Sequence, residues 1–188
     1  MRYAGLVASG FPRLRRWIRR LGALLLLAGL LLMLALMRGP PELLTDADGA
    51  RVFVVDGDSL RIGNRMIRLE GMDAVELHQL CRGNDGAQWS CGLEARGALS
   101  SMTARGGLVC ESRAADQYGR ALSFCSTKGS PDLAADLVAQ GWAVSGDGRS
   151  DGPYGAEQDA ARSGGRGIWR GSFERPADWR TAHPRTTP

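Results

Sequence analysis

Five charged side chains in three short turns carry most of the chemistry legible in this sequence. Asp56-Gly57-Asp58 interrupts the β-forming run Val52 to Val55, and Asp73-Ala74-Val75-Glu76 follows the hydrophobic stretch Met66 to Leu69. Arg68 lies between these acidic turns, and Arg120 ends a third turn, Asp116-Gln117-Tyr118-Gly119-Arg120. Each feature alone is bland. Asp-Gly-Asp is a common turn sequence, Asp73-x-x-Glu76 also reads as a solvated helix start, and an arginine after Tyr-Gly is usually an exposed turn residue. Together they suit a phosphodiester. Its five-coordinate transition state gains negative charge that must be neutralised while a water is held for attack. Arg68 and Arg120 can each give paired hydrogen bonds to phosphate oxygens and stay charged, which lysine would not copy. A hard cation such as Ca²⁺ on Asp58 and Asp73, completed by a backbone carbonyl and waters, would polarise the phosphate. Glu76 would then orient or deprotonate the water. Only two histidines, His78 and His183, are present, and the scheme needs neither.

Those side chains must be placed by strands. Leu60 and Ile62 alternate with polar neighbours, Gly63-Asn64 supplies a two-residue reversal, and Met66 to Leu69 returns. His78 to Trp89 reads as a loop broken by Gly83, Asn84, Asp85 and Gly86, with His78 exposed. Ser90 is placed to cap a helix running to about Arg105. Leu108 to Ser112 and Ala121 to Cys125 read as strands, and Ser130-Pro131-Asp132 opens a second helix. A third helix spans about Tyr154 to Ser163, and Trp89, Trp142 and Trp169 read as packing anchors. Three strands, a helix, two strands and more helix are not a βαβ alternation. The expected class is α+β: a five-stranded Greek-key barrel of the OB type with about three helices, over residues 51–176.

The net charge of +4 and pI near 9.2 suggest a nucleic-acid binder only superficially. Seven of the 24 basic residues and none of the 20 acidic ones precede Pro40, so the remainder is net −3. Contact with nucleic acid must therefore come from local arginines and a cation. Leu21 to Met37 is an unbroken apolar run after Arg13, Arg15, Arg16, Arg19 and Arg20. This predicts a basic cytoplasmic N-terminus (1–20), a transmembrane anchor (21–37), a polar linker (38–50) and a periplasmic or extracellular domain. A cleaved signal peptide is the rival, opposed by the length of the run and the lack of an A-x-A site after Met37. Residues 177–188 read as a mobile tail anchored by Trp179. Cys81, Cys91, Cys110 and Cys125 all follow the apolar run, and without a C-x-x-C they favour disulfides over zinc. Local pairing joins Cys81 to Cys91 and Cys110 to Cys125.

From Arg51 to about Trp169 the sequence resembles the staphylococcal nuclease (thermonuclease) family. The likeness rests on VVDGDS at Val54–Ser59, RLEGMDAVE at Arg68–Glu76 and DQYGR at Asp116–Arg120, with AQGWA at Ala139–Ala143 and GIW at Gly167–Trp169. It implies an OB barrel with three helices and Ca²⁺-dependent endonucleolytic cleavage of DNA and RNA, here by a membrane-anchored or exported monomer. By resemblance the metal ligands are Asp58, Asp73 and the Ala74 carbonyl, with Asp56 in the outer shell. The phosphate-binding arginines are Arg68 and Arg120, the water-activating glutamate is Glu76, and Tyr118 lies beside the bound nucleotide. There are departures. Ala74 stands for threonine, Gln117 for a phosphate-contacting lysine, and Val75 for a proline, which removes that restraint on the turn aiming Glu76. Ser145-Gly146-Asp147-Gly148 occupies the region of a second nucleotide-side tyrosine. Two rival functions remain: a membrane-tethered, non-catalytic nucleic-acid-binding OB module, and a disulfide-stapled envelope protein that binds another protein. Retention of Glu76 argues against the first, because a pure binder has no use for a water-activating carboxylate.

Overall fold

Residues 12–37, 40–47, 49–146 and 152–184 are described by the computed structural model, which falls into two units, Met1–Pro40 and Pro41–Pro188. The first holds helix α1, Pro12–Met37. Within it, Arg16–Leu34 is long and apolar enough to cross a membrane by length and composition. The helix starts at Pro12, before the expected Leu21. Arginine is a good helix former, so the basic cluster continues the helix instead of flanking it.

In the second unit the strands come first. They are β1 (Glu42–Thr45), β2 (Val52–Val54), β3 (Ser59–Ile62), β4 (Arg65–Leu69), β5 (Met72–Ala74), β6 (Cys81–Gly83) and β7 (Gln88–Trp89). Helix α2 (Cys91–Thr103) is followed by β8 (Val109–Ala115), β9 (Ala121–Ser126), α3 (Leu133–Ala139) and β10 (Ala143–Ser145). Helix α4 (Gly155–Ser163), a 3₁₀ turn (Gly167–Arg170), β11 (Gly171–Ser172) and α5 (Pro176–Ala182) complete it. Six strands form a curled mixed sheet in the order β1-β8-β9-β4-β3-β2, a half-barrel of OB-like α+β type. All neighbours are antiparallel except β4 and β9, and the parallel pair aligns Arg68 with Leu122. Its crossover runs through α2, as parallel pairing requires a long return. Two smaller sheets, β10-β5 and β11-β6-β7, complete the strand pairing, and β5 carries Asp73.

The core explains the order. Leu60, Ile67 and Leu69 from the sheet, Leu99 from α2, and Leu133 and Leu137 from α3 are fully buried in one cluster. A second cluster gathers Val75, Ala95, Val144, Ile168 and the Cys81–Cys91 disulfide, with Trp89, Trp142 and Trp169 packed against it as the anchors expected of them. The other disulfide joins Cys110 to Cys125, as local pairing requires. They are directly opposed on β8 and β9.

Four readings of the sequence differ from the structure. The linker 38–50 contains β1, whose backbone finds partners along β8 and whose Glu42 holds Arg65 through three hydrogen bonds. The loop 78–89 contains β6 and β7, pinned by the disulfide and by β11. Ser90 stands at the N-cap of α2 as expected, though without a side-chain cap bond, whereas Asp132, not Ser130, caps α3 by accepting from the amides of Ala134 and Ala135. Ser130 instead donates to Asp136 at 2.6 Å. The segment read as a mobile tail from Ala177 forms α5, and its tie to the body is Arg180; Trp179 stacks on His183.

Candidate active site

Three turns meet at one end of the sheet. The first follows β2, where Asp56 Oδ1 accepts from the Asp58 amide at 3.1 Å, an Asx turn that points Asp58 inward. A Cβ on Gly57 would stand 2.8 Å from the Ala74 Cβ, so only glycine lets this turn lie against β5. Asp58 and Asp73 are both buried, and Arg68 on β4 bridges them with contacts of 2.6 Å from Nη1 to Asp58 Oδ2 and from Nη2 to Asp73 Oδ1. Such short charge-assisted pairs fix both carboxylates against one guanidinium. Burial pushes the Asp58 carboxyl up to about 7; Arg68 pulls it down, while the charges of Asp56 and Asp73 add to the rise. Arg68 is itself desolvated, yet Asp58 and Asp73 hold its proton more tightly than usual.

The second turn aims Glu76. Its amide donates to Gln79 Oε1 at 3.1 Å, and Gln79, fully buried, donates from Nε2 to the Glu174 carbonyl at 2.6 Å. Val75 is buried in the second cluster, so packing and Gln79 hold the turn where the family has a proline. Behind it, a Cβ on Gly92 would overlap the Glu76 carbonyl, which lets the start of α2 abut this loop. The Ala74 amide lies 3.4 Å from Asp58 Oδ2, with the residue buried in β5 opposite Ala143.

The third turn carries Arg120. Asp116 Oδ1 accepts from the amides of Tyr118 and Arg120, and its Oδ2 accepts from Arg120 Nε at 2.7 Å. Desolvation works against it, but those hydrogen bonds hold the Asp116 carboxyl below the usual carboxylate range. Arg120 Nη1 donates to Ser59 Oγ at 3.2 Å, and Ser59 donates to Asp58 Oδ1 at 2.8 Å. Arg120 is thereby on the same surface as the two aspartates, not across the sheet from them. Tyr118 stands exposed with the Arg120 guanidinium 5.7 Å from its ring. Arg65, held by Glu42, donates to the Gly119 carbonyl at 3.0 Å and so buttresses the turn from below.

One residue from beyond the barrel joins them. Arg180 on α5 contacts Asp73 Oδ1 and Glu76 Oε1 from Nη1, each at 2.9 Å, and Asp73 Oδ2 from Nη2 at 3.0 Å. Its guanidinium is held charged, chiefly by the hydrogen bond to Asp73. The structure therefore links Arg120, Ser59, Asp58, Arg68, Asp73, Arg180 and Glu76 in one continuous network. Ser59, Gln79 and Arg180 were not singled out from sequence. Asp147 and Gly148, in the region of the missing tyrosine, lie outside the described residues.

Among the described residues no three His, Cys, Asp or Glu side chains form a ready-made metal cage. The donor chemistry nonetheless suits a hard cation. Asp58 and Asp73 are two buried carboxylates held together by Arg68, and carboxylate oxygen matches Ca²⁺ in type, leaving most of its coordination to carbonyl, water and phosphate oxygens.

A half-barrel of OB type with paired arginines and carboxylates at one end defines a nuclease-type or nucleic-acid-binding domain. Residues 66–171 match the model of the staphylococcal nuclease homologues, and the chain belongs to that family. The match includes Arg68, Asp73, Glu76 and Arg120; Asp58 precedes it and Arg180 follows it. The chain is also 35% identical over 122 residues to the succinoglycan biosynthesis protein ExoI of Rhizobium meliloti (strain 1021), covering 64% of each protein.

Proposed function

We infer that this protein is a Ca²⁺-dependent endonuclease that hydrolyses phosphodiester bonds of DNA, RNA or both outside the cytoplasm, tethered to a membrane by the apolar part of α1. One observation carries the reading: Arg120, from a turn far away in sequence, reaches Asp58 through Ser59 on the surface where Arg68 bridges Asp58 to Asp73. A pure binding module needs positive charge. It does not need two buried aspartates and a glutamate held beside it.

Asp58, Asp73 and the Ala74 carbonyl would hold Ca²⁺, with Asp56 behind them; the ion would supply charge to the phosphate and lower the barrier as a Lewis acid. The chain's own residues do the rest. Arg120, aimed by Asp116, and Arg68 donate to non-bridging phosphate oxygens and compensate the charge gained in the transition state. Glu76 accepts a proton from the attacking water; the water oxygen bonds to phosphorus as the bond to the leaving oxygen breaks. Tyr118, exposed beside Arg120, offers a ring against which a nucleotide can lie. Two disulfides suit an oxidising compartment, and the arginines of α1 favour an inward N-terminus.

The test is plasmid DNA and RNA digested by the oxidised full-length protein in detergent, with Ca²⁺ and with chelator. Cutting only with Ca²⁺, lost in Arg120→Ala and Glu76→Gln, supports the assignment. Tight DNA binding without cutting replaces it with the non-catalytic module, and neither binding nor cutting favours a protein partner. A reporter fused after Pro188 that works only in the cytoplasm overturns the orientation.

A further inference from the structure

Arg180 takes both oxygens of Asp73 in one fork and reaches Glu76 with the same Nη1, so the tail has placed a permanent positive charge on the carboxylates assigned above to cation and water. Two guanidiniums, Arg68 and Arg180, face three carboxylates, Asp58, Asp73 and Glu76. A divalent ion drawn to Asp73 would meet Arg180 at a few ångströms, where like charges repel strongly in a partly desolvated site.

We propose that Arg180 is a tethered counter-ion, an autoinhibitory latch on helix α5 that fills the carboxylate site in the cation-free protein and must leave before Ca²⁺ can enter. The latch rests on reading Asp58 and Asp73 as cation ligands. Three features set Arg180 apart from the barrel's own arginines. It comes from a helix that follows the span matching the family, residues 66–171, and not from the sheet that carries the other site arginines. Its helix has seven residues, of which only Pro176 is buried, and a helix that short is not stable by itself. Its side chain is 39% exposed against 18% for Arg68, so it can swing into water without dragging core residues with it. The Gln79 to Glu174 bond stays behind as the hinge, just ahead of α5.

The experiment uses full-length protein in detergent with Ca²⁺ as the probe. Hydrogen exchange at residues 176–182 of the wild type should rise when Ca²⁺ is added, because the helix loses its tie. Calorimetry on Arg180→Gln should show tighter Ca²⁺ binding, by about tenfold if the latch is closed about nine-tenths of the time. The exchange measurement needs no variant to fold. Exchange in α5 unchanged by bound Ca²⁺, or equal affinities in the two proteins, overturns the latch and leaves the Ca²⁺ site standing. Weaker binding in Arg180→Gln also overturns it, since Arg180 would then support the ion. Absence of Ca²⁺ binding in both proteins removes the cation site itself, and the latch with it.

Discussion

Asp73 receives two guanidiniums of opposite character. Arg68 comes from the sheet, five residues away, 18% exposed and shared with Asp58; Arg180 comes from a seven-residue helix 107 residues away and is 39% exposed. Both bonds are short, yet they do different work. Removing Arg68 leaves buried Asp58 without its guanidinium partner and strips one from Asp73, whereas removing Arg180 leaves Asp73 still paired with Arg68 and takes away a side chain already 39% exposed. Distance alone does not rank an ion pair. What surrounds the charge once its partner is gone does.

The comparison can be broken most directly by stability. In chelator, Arg68→Ala should lose about 3–5 kcal/mol by urea unfolding, the cost of breaking a buried pair. Arg180→Ala should lose only about 1 kcal/mol, because Asp73 keeps Arg68 and the guanidinium removed is already 39% exposed. Equal losses would erase the distinction. Activity sharpens it: Arg120→Ala should lower kcat about 10²–10³-fold, the size of a lost transition-state donor, while Arg180→Ala should raise cutting at limiting Ca²⁺. A joint Cys110→Ala and Cys125→Ala replacement should cost about 3 kcal/mol for its 15-residue separation, read from the same unfolding curves, with the Arg68-to-Arg180 ratio unchanged.

The smallest effect concerns Asp116, whose carboxyl is held below its ordinary range by Arg120. Its contribution is complete above the unfolded carboxylate value, about 3.9, and is lost as pH falls through the lower folded value. Asp116→Asn should therefore cost less than about 1 kcal/mol near pH 7 and almost nothing near pH 2, measured as the difference between unfolding midpoints. A cost that grows on acidification would mean that Arg120 is not the cause.

Much of this was readable in the chain because the barrel half of the site is local. Asp58, Arg68, Asp73 and Glu76 fall within one strand-turn-strand stretch, and the period-two alternation of Leu60 and Ile62 fixes which face each strand presents. The strands read at Leu108–Ser112 and Ala121–Cys125 are present as Val109–Ala115 and Ala121–Ser126. Strand β1 was missed because an edge strand borrows its stability from β8, and Glu42-Leu43-Leu44 carries no alternation. Gln79 and Arg180 were missed for a related reason. A glutamine in a loop and an arginine in a polar tail become specific only when residues many positions away fold against them. A hint was Pro176 followed by Asp178, a helix-start pattern at the border of the stretch read as a mobile tail.

The Cys81–Cys91 disulfide has a consequence of this geometry. It clamps the first residue of α2, and Gly92 beside it forms the floor on which the Glu76 loop rests. Reduction there would leave the six-stranded sheet intact while the carboxylate above it drifts. An oxidising milieu would then act as a licence to cut, withdrawn in any compartment that keeps thiols free.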